Sequence, residues 1–174
     1  MTSTGVTREE LRAAQRPLRE RYLADPATAW TPVHADAEFA DPGITVTVST
    51  GIGPALAGLQ PATGGTGEHA CSGDMLLQAL LGCTGVTLRS VATAMSLDLG
   101  EVHLHAESHY DARGTLGVDP TVDVGLGPIT VTITVTADVD DATLTRLATA
   151  TERYCVVAHS LRQSPEFRIV RATG

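Results

Sequence analysis

Residues 76–92, LLQALLGCTGVTLRSVA, decide how this chain is read. Leu76, Leu77, Leu80, Leu81, Val86, Leu88, Val91 and Ala92, with Met95 just beyond, surround nearly the whole of a helical cylinder. A helix that is apolar all round is a central, buried one. Gly82 and Gly85 flank a single thiol, Cys83. Each glycine costs about 1 kcal/mol relative to alanine inside a helix, so close approach by another backbone is expected to offset them. Ser72 can cap this helix, and Asp74 stands in its first turn, where a negative charge suits the helix dipole.

On both sides of this helix the pattern changes to period two. Before it, HADAEF, GITVTVST and ALAGL read as short strands in hairpins. They are followed by a glycine-rich loop, PATGGTGEHA, that lacks the lysine and the spacing of a phosphate-binding loop. After the helix, residues 101–113 and 122–137 alternate again and predict two long antiparallel strands joined through Gly114 to Pro120. DDATLTRLATATERYCVVAHSL has helical spacing, and EFRIVRA closes the chain as a strand. Strands, helix, strands, helix, strand is an α+β order, not that of a doubly wound parallel sheet. At the start, Thr7 and Glu10 form a capping box that opens a helix. Pro17 interrupts that helix or begins a second one ending near Asp25. The expected division is a helical arm over 1–27 and a main domain over 28–174.

With 174 residues the chain suits one domain, and at 43% hydrophobic but 3% aromatic its core must come from Leu, Val, Ile and Ala. Few rings are left for base stacking. The net charge is −8, and the 12 positive residues are arginines scattered along the sequence, so there is no basic face for nucleic acid. The N-terminal stretch has no apolar signal-like run, and no segment approaches the roughly 18 to 20 apolar residues of a membrane span. A cytoplasmic protein with no membrane partner is expected. Cys71, Cys83 and Cys155 form no CxxC pair, which points away from a disulfide framework or structural zinc and towards reactive or buried thiols.

Two thiols on two buried helices of one small domain can face each other. One can then attack an oxidant while the other resolves the sulfenic acid as a disulfide. Cys71, beside the start of the helix, reads as an incidental loop cysteine or a third redox thiol. His103, His105, Glu107 and His109 fall on one strand face. Same-face neighbours lie about 6.5 to 7 Å apart, so a metal would need ligands from elsewhere. A solvent-facing polar strand is the favoured reading.

The segments SGDMLLQALLGCTGVTLRSVA and ERYCVVAHSL together resemble the OsmC/Ohr family of osmotically inducible and organic hydroperoxide resistance proteins, over roughly residues 28–173. The resemblance implies an OsmC-like fold, antiparallel sheets around two central buried helices, in an intertwined homodimer. It also implies that Cys83 attacks an organic hydroperoxide, that Cys155 resolves it, and that a cellular dithiol reductant restores both without metal or flavin. A non-catalytic redox sensor or small-ligand-binding dimer is the alternative on the same fold.

The sequence departs from the family pattern in the group that activates the thiol. In the family's peroxidases an arginine from the N-terminal strands does this, held by a glutamate near the start of the cysteine helix. Here no Arg or Lys occurs between Arg21 and Arg89, and Gly73 stands ten residues before Cys83, with Asp74 next. Nine residues make two and a half helical turns, which sets Asp74 opposite Cys83. Arg153, Arg113 and Arg89 are the candidate replacement cations, and Val156 stands where many relatives have proline.

Overall fold

The structure, a computed structural model, describes residues 5–39 and 43–172; residues 1–4 of the expected arm and 173–174 lie outside them. Helix α1 (Arg8–Ala24) opens on the expected box. The Thr7 hydroxyl accepts from the Glu10 N–H at 3.2 Å, and the Glu10 carboxylate accepts from the Thr7 N–H at 2.8 Å. Pro17 does not divide the helix, contrary to expectation. No residue of α1 is buried, so the backbone carbonyl that Pro17 leaves without a partner can turn to water.

Strands β1 (Asp36–Glu38), β2 (Thr45–Thr50) and β3 (Gly53–Gly58) form an antiparallel meander. Within it Ala57 is the one buried residue among those described. The meander joins the body where the Gly58 N–H donates to the Ala70 carbonyl and the Ala70 N–H to that of Leu56, both at 3.0 Å.

Helix α2 spans Ser72–Met95. Its cap is Cys71 and not Ser72: Cys71 is still extended (φ −80°, ψ 133°), and its sulfur accepts the Gly73 N–H at 3.3 Å. The buried residues are Leu80, Thr84, Leu88 and Ala92, a single stripe at spacing four. Burial all round, as the sequence predicts, is not achieved within one chain: Leu76 is 39% and Val86 75% exposed. Nor does another described backbone approach the glycines. A Cβ at Gly82 would meet nothing within 4 Å, and one at Gly85 would meet only the Leu104 methyls, from 3.8 Å. By length and composition α2 could cross a membrane (mean hydropathy 1.4), which corrects the expectation that no segment approaches a span. The buried stripe packs instead on protein.

The second sheet comprises β4 (Val102–Glu107), β5 (Thr130–Val135) and β6 (Glu166–Arg171). β4 and β5 pair antiparallel, but β6 runs parallel to β5, so this sheet is mixed and not antiparallel throughout. The parallel pairing follows from the helical crossover that separates β5 from β6. β4 and β5 are each six residues long, shorter than predicted, because the intervening chain forms a one-turn helix α3 (Ala112–Thr115) and a loop. Period two then sorts the sheet's faces. Val131, Ile133 and Val135 are fully buried, whereas His103, His105 and Glu107 face solvent.

Helix α4 (Asp141–Tyr154) is capped by Asp140, which accepts the Thr143 N–H at 2.8 Å, and it buries Leu144, Leu147 and Thr151. The chain leaves the helix at Cys155 and re-forms a single turn, α5 (Val156–His159). The expected continuous helix through ERYCVVAHSL is therefore broken at its cysteine. The core lies between α2, α4 and the second sheet, and includes Leu80, Leu88, Ile133, Leu147, Cys155 and Ala158.

Candidate active site

Thr84 and Leu80 turn the buried stripe of α2 towards the α4–α5 junction, and Cys83, next to Thr84, falls half-buried at the edge of that contact. Cys155 lies across from it, fully buried. The two thiols are close enough that each shifts the other's pKa.

The break at Cys155 shapes this site. Cys155 is extended (φ −79°, ψ 104°), and its N–H closes a tight turn to the Glu152 carbonyl at 3.2 Å. Val156 and Val157 therefore begin a new helical turn, and their N–H groups have no partner within it. Both favour the Cys83 thiolate. Burial pushes the Cys83 thiol up. The Val157 amide, the Cys155 thiol, the Val156 amide and the Thr87 hydroxyl, each favouring the thiolate, outweigh burial and hold Cys83 below its ordinary value. Cys155 moves the opposite way. Burial pushes it up, the Ala158 amide and the Thr84 hydroxyl oppose this, and the neighbouring Cys83 adds to the rise. The pair thus has one half-exposed, acidified thiol and one buried thiol that keeps its proton.

Among the described residues, no cation is among the groups acting on Cys83. Arg153 lies over the Tyr154 ring, 5.6 Å from its centroid. Arg113 sits in α3, not in a strand, and is held by Asp111 at 2.6 Å and Asp119 at 3.8 Å. Its guanidinium brings the Asp111 carboxyl down to about 2. Arg89 is exposed on α2, and Asp74 is exposed in the first turn of that helix. Cys71 is occupied with its own cap. His105 lies 3.9 Å from Glu107 on the solvent face of β4, and His109 falls beyond the end of that strand. A cavity of about 510 Å³, lined by Leu76, Leu126, Ile129, Leu161, His109 and Arg162 among others, begins two turns along α2 from Cys83 and includes neither cysteine of the pair.

Sequence reasoning missed five groups at the pair: Thr84, Thr87 and the amides of Val156, Val157 and Ala158. The first two carry a readable signal. In CTGVT, hydroxyls one and four residues after the cysteine interrupt an otherwise apolar cylinder. The amides carry none, because a backbone break inside helical spacing leaves no mark in residue type.

Fold and site together define an α+β protein of two small sheets with a paired dithiol where a long helix meets a broken one. Residues 65–170, more than half of the chain, match the family described as OsmC-like protein, and the chain belongs to that family. Among solved structures it is similar to an organic hydroperoxide resistance protein OsmC from Legionella pneumophila (16% identity, TM-score 0.62), covering 83% of this chain and 100% of that one. It is likewise similar to an organic hydroperoxide resistance protein from Elizabethkingia anophelis (14% identity, TM-score 0.63), covering 83% and 98%. An OsmC-like protein from Mycoplasma pneumoniae aligns at 12% identity and TM-score 0.64, covering 82% and 98%. No curated protein matches the sequence.

Proposed function

We propose that the protein reduces organic hydroperoxides through a thiol–disulfide cycle of Cys83 and Cys155. The carrying observation is the opposed pair: Cys83 is acidified and half-exposed, while Cys155, its immediate neighbour, is buried and protonated. In the first step the Cys83 thiolate attacks the terminal peroxide oxygen. The O–O bond breaks, Cys83 becomes a sulfenic acid, and the alkoxide takes a proton and leaves as an alcohol. In the second, the Cys155 sulfur displaces hydroxide from the Cys83 sulfur, and the Cys155 proton leaves with it as water. A cellular dithiol reduces the resulting disulfide by thiol–disulfide exchange, which suits the cytoplasm. The amides of Val156 and Val157 take the part that an arginine plays in the family's peroxidases, since backbone N–H groups also favour the thiolate. The organic hydroperoxide resistance proteins among the structural relatives support the choice of substrate.

A second copy of the chain completes the fold in this reading. α2 leaves Val86 75% exposed, and Ile44, just before β2, and Ile52, in the β2–β3 turn, are likewise open to water. Large apolar side chains left in water suit an interface, and an intertwined dimer would cover both regions at once.

The test is consumption of a small organic hydroperoxide in the presence of a dithiol. Cys83→Ser is expected to abolish turnover, and Cys155→Ser to leave one slow event per chain. Sustained turnover by Cys83→Ser would remove the reading.

A further inference from the structure

Thr84 is fully buried and is the one hydroxyl in the otherwise apolar stripe Leu80, Thr84, Leu88, Ala92. A hydroxyl taken out of water must find a partner, and here the partner is the Cys155 sulfur, 3.7 Å away. Thr84 is adjacent in sequence to Cys83, so one turn of α2 presents both the thiol that would meet the oxidant and the hydroxyl that touches the thiol meant to resolve it. Thr151, equally buried and one turn before Cys155, has no partner for its hydroxyl among the described residues. Burial of a threonine near Cys155 therefore does not by itself produce the contact.

We propose that Thr84 is the positioning residue of the resolving step: its hydroxyl fixes the Cys155 side chain against the Cys83 sulfur and donates to Cys155 as that thiol gives up its proton. The inference rests on the peroxidase reading only in naming the sulfenic acid as the partner of Cys155. Any oxidised Cys83 from which a group can be displaced meets the same geometry.

That generality supplies the test. In a Cys71→Ser background, dithiodipyridine reacts first with Cys83, whose thiolate cleaves the reagent's S–S bond to form a mixed disulfide and release one pyridinethione. Cys155 then attacks the Cys83 sulfur, breaks the mixed disulfide and releases the second. The two releases separate attack from resolution. Thr84→Val should leave the first phase unchanged and slow the second about tenfold, the scale of one lost hydrogen bond. Thr84→Ser should restore the second phase, and Thr151→Val should not alter it. If Thr84→Val does not fold, Thr84→Ala makes the same comparison. A second phase at the wild-type rate in the hydroxyl-free variant, or one slowed equally by Thr151→Val, overturns the proposal. Wild-type protein that shows both phases but consumes no hydroperoxide would sink the peroxidase reading and leave Thr84 in its place.

Discussion

The two sheets are built from similar short alternating strands and end in opposite surroundings. In the second, Val131, Ile133 and Val135 have no exposure at all, closed in by α2 and α4. In the first, Ala57 alone is buried among the described residues, and Ile44 and Ile52, just before β2 and in the turn after it, stand 75% and 101% exposed. Alternation states which residues share a face. It does not say which chain will cover that face. The second sheet belongs to the core that one chain builds for itself, and the first lies outside that core, where the dimer proposed above would cover it.

The sharpest way to break this contrast is to cut into each half. Leu147→Ala removes a fully buried side chain from the chain's own core and should cost about 2 to 5 kcal/mol, read as a shift in denaturant midpoint. Ile44→Ser and Ile52→Ser touch side chains that the single chain leaves in water. Each should alter unfolding of the isolated chain by less than about 0.5 kcal/mol. Together they should weaken self-association about tenfold or more, as expected for apolar anchors of an interface. Sedimentation over a dilution series measures the second effect. Unchanged association in the double variant would mean that the first sheet is not covered by a second copy.

The thiol pair repeats the contrast on a smaller scale, with one sulfur half-open and the other sealed. Because its pKa is lowered, Cys83 is thiolate at lower pH than an ordinary cysteine, whose pKa is about 8.5. Its rate of alkylation by iodoacetamide should therefore inflect at lower pH than that of Cys155, whose pKa is raised. Val156→Pro sharpens the point. Proline is accommodated at the first position of a helix but has no N–H, so the Cys83 inflection should move back up with little change in fold. An unchanged inflection would show that the Val156 amide does not hold the thiolate.

Much of this arrangement was legible in the residues, and what was not has physical causes. The cysteine helix and the segment around Cys155 could be read because their apolar spacing and thiol positions are local properties. The cap at Cys71 was missed because Ser72 is the better capping residue by type, although the chain turns one residue earlier. The unbroken α1 was missed because proline's cost depends on whether the freed carbonyl can reach water, which is a matter of burial. The parallel β6 followed from the path of the crossover, and no pattern within EFRIVRA encodes direction. The activating group was sought among cations, since only side chains appear in a sequence, and the strongest net help to Cys83 comes from the chain's own amides.

The smallest effects concern the helix caps, and they too divide along the boundary between core and periphery. Asp140 caps α4, which packs into the core, and its carboxyl is lowered by donation from the Thr143 hydroxyl and N–H. A carboxyl lowered on folding contributes stability above its unfolded pKa, near 4, and loses it as pH falls through the lower folded value. Asp140→Ala should therefore reduce the thermal midpoint at neutral pH, and the gap from wild type should narrow below about pH 4. Thr7 caps α1 through its capping box, but no residue of α1 is buried within the chain. Thr7→Ala should fray the first turn, seen as faster amide exchange at Glu10, and leave the midpoint where it was. Equal shifts in midpoint for the two variants would mean that the arm unfolds together with the core and is not an outlying element.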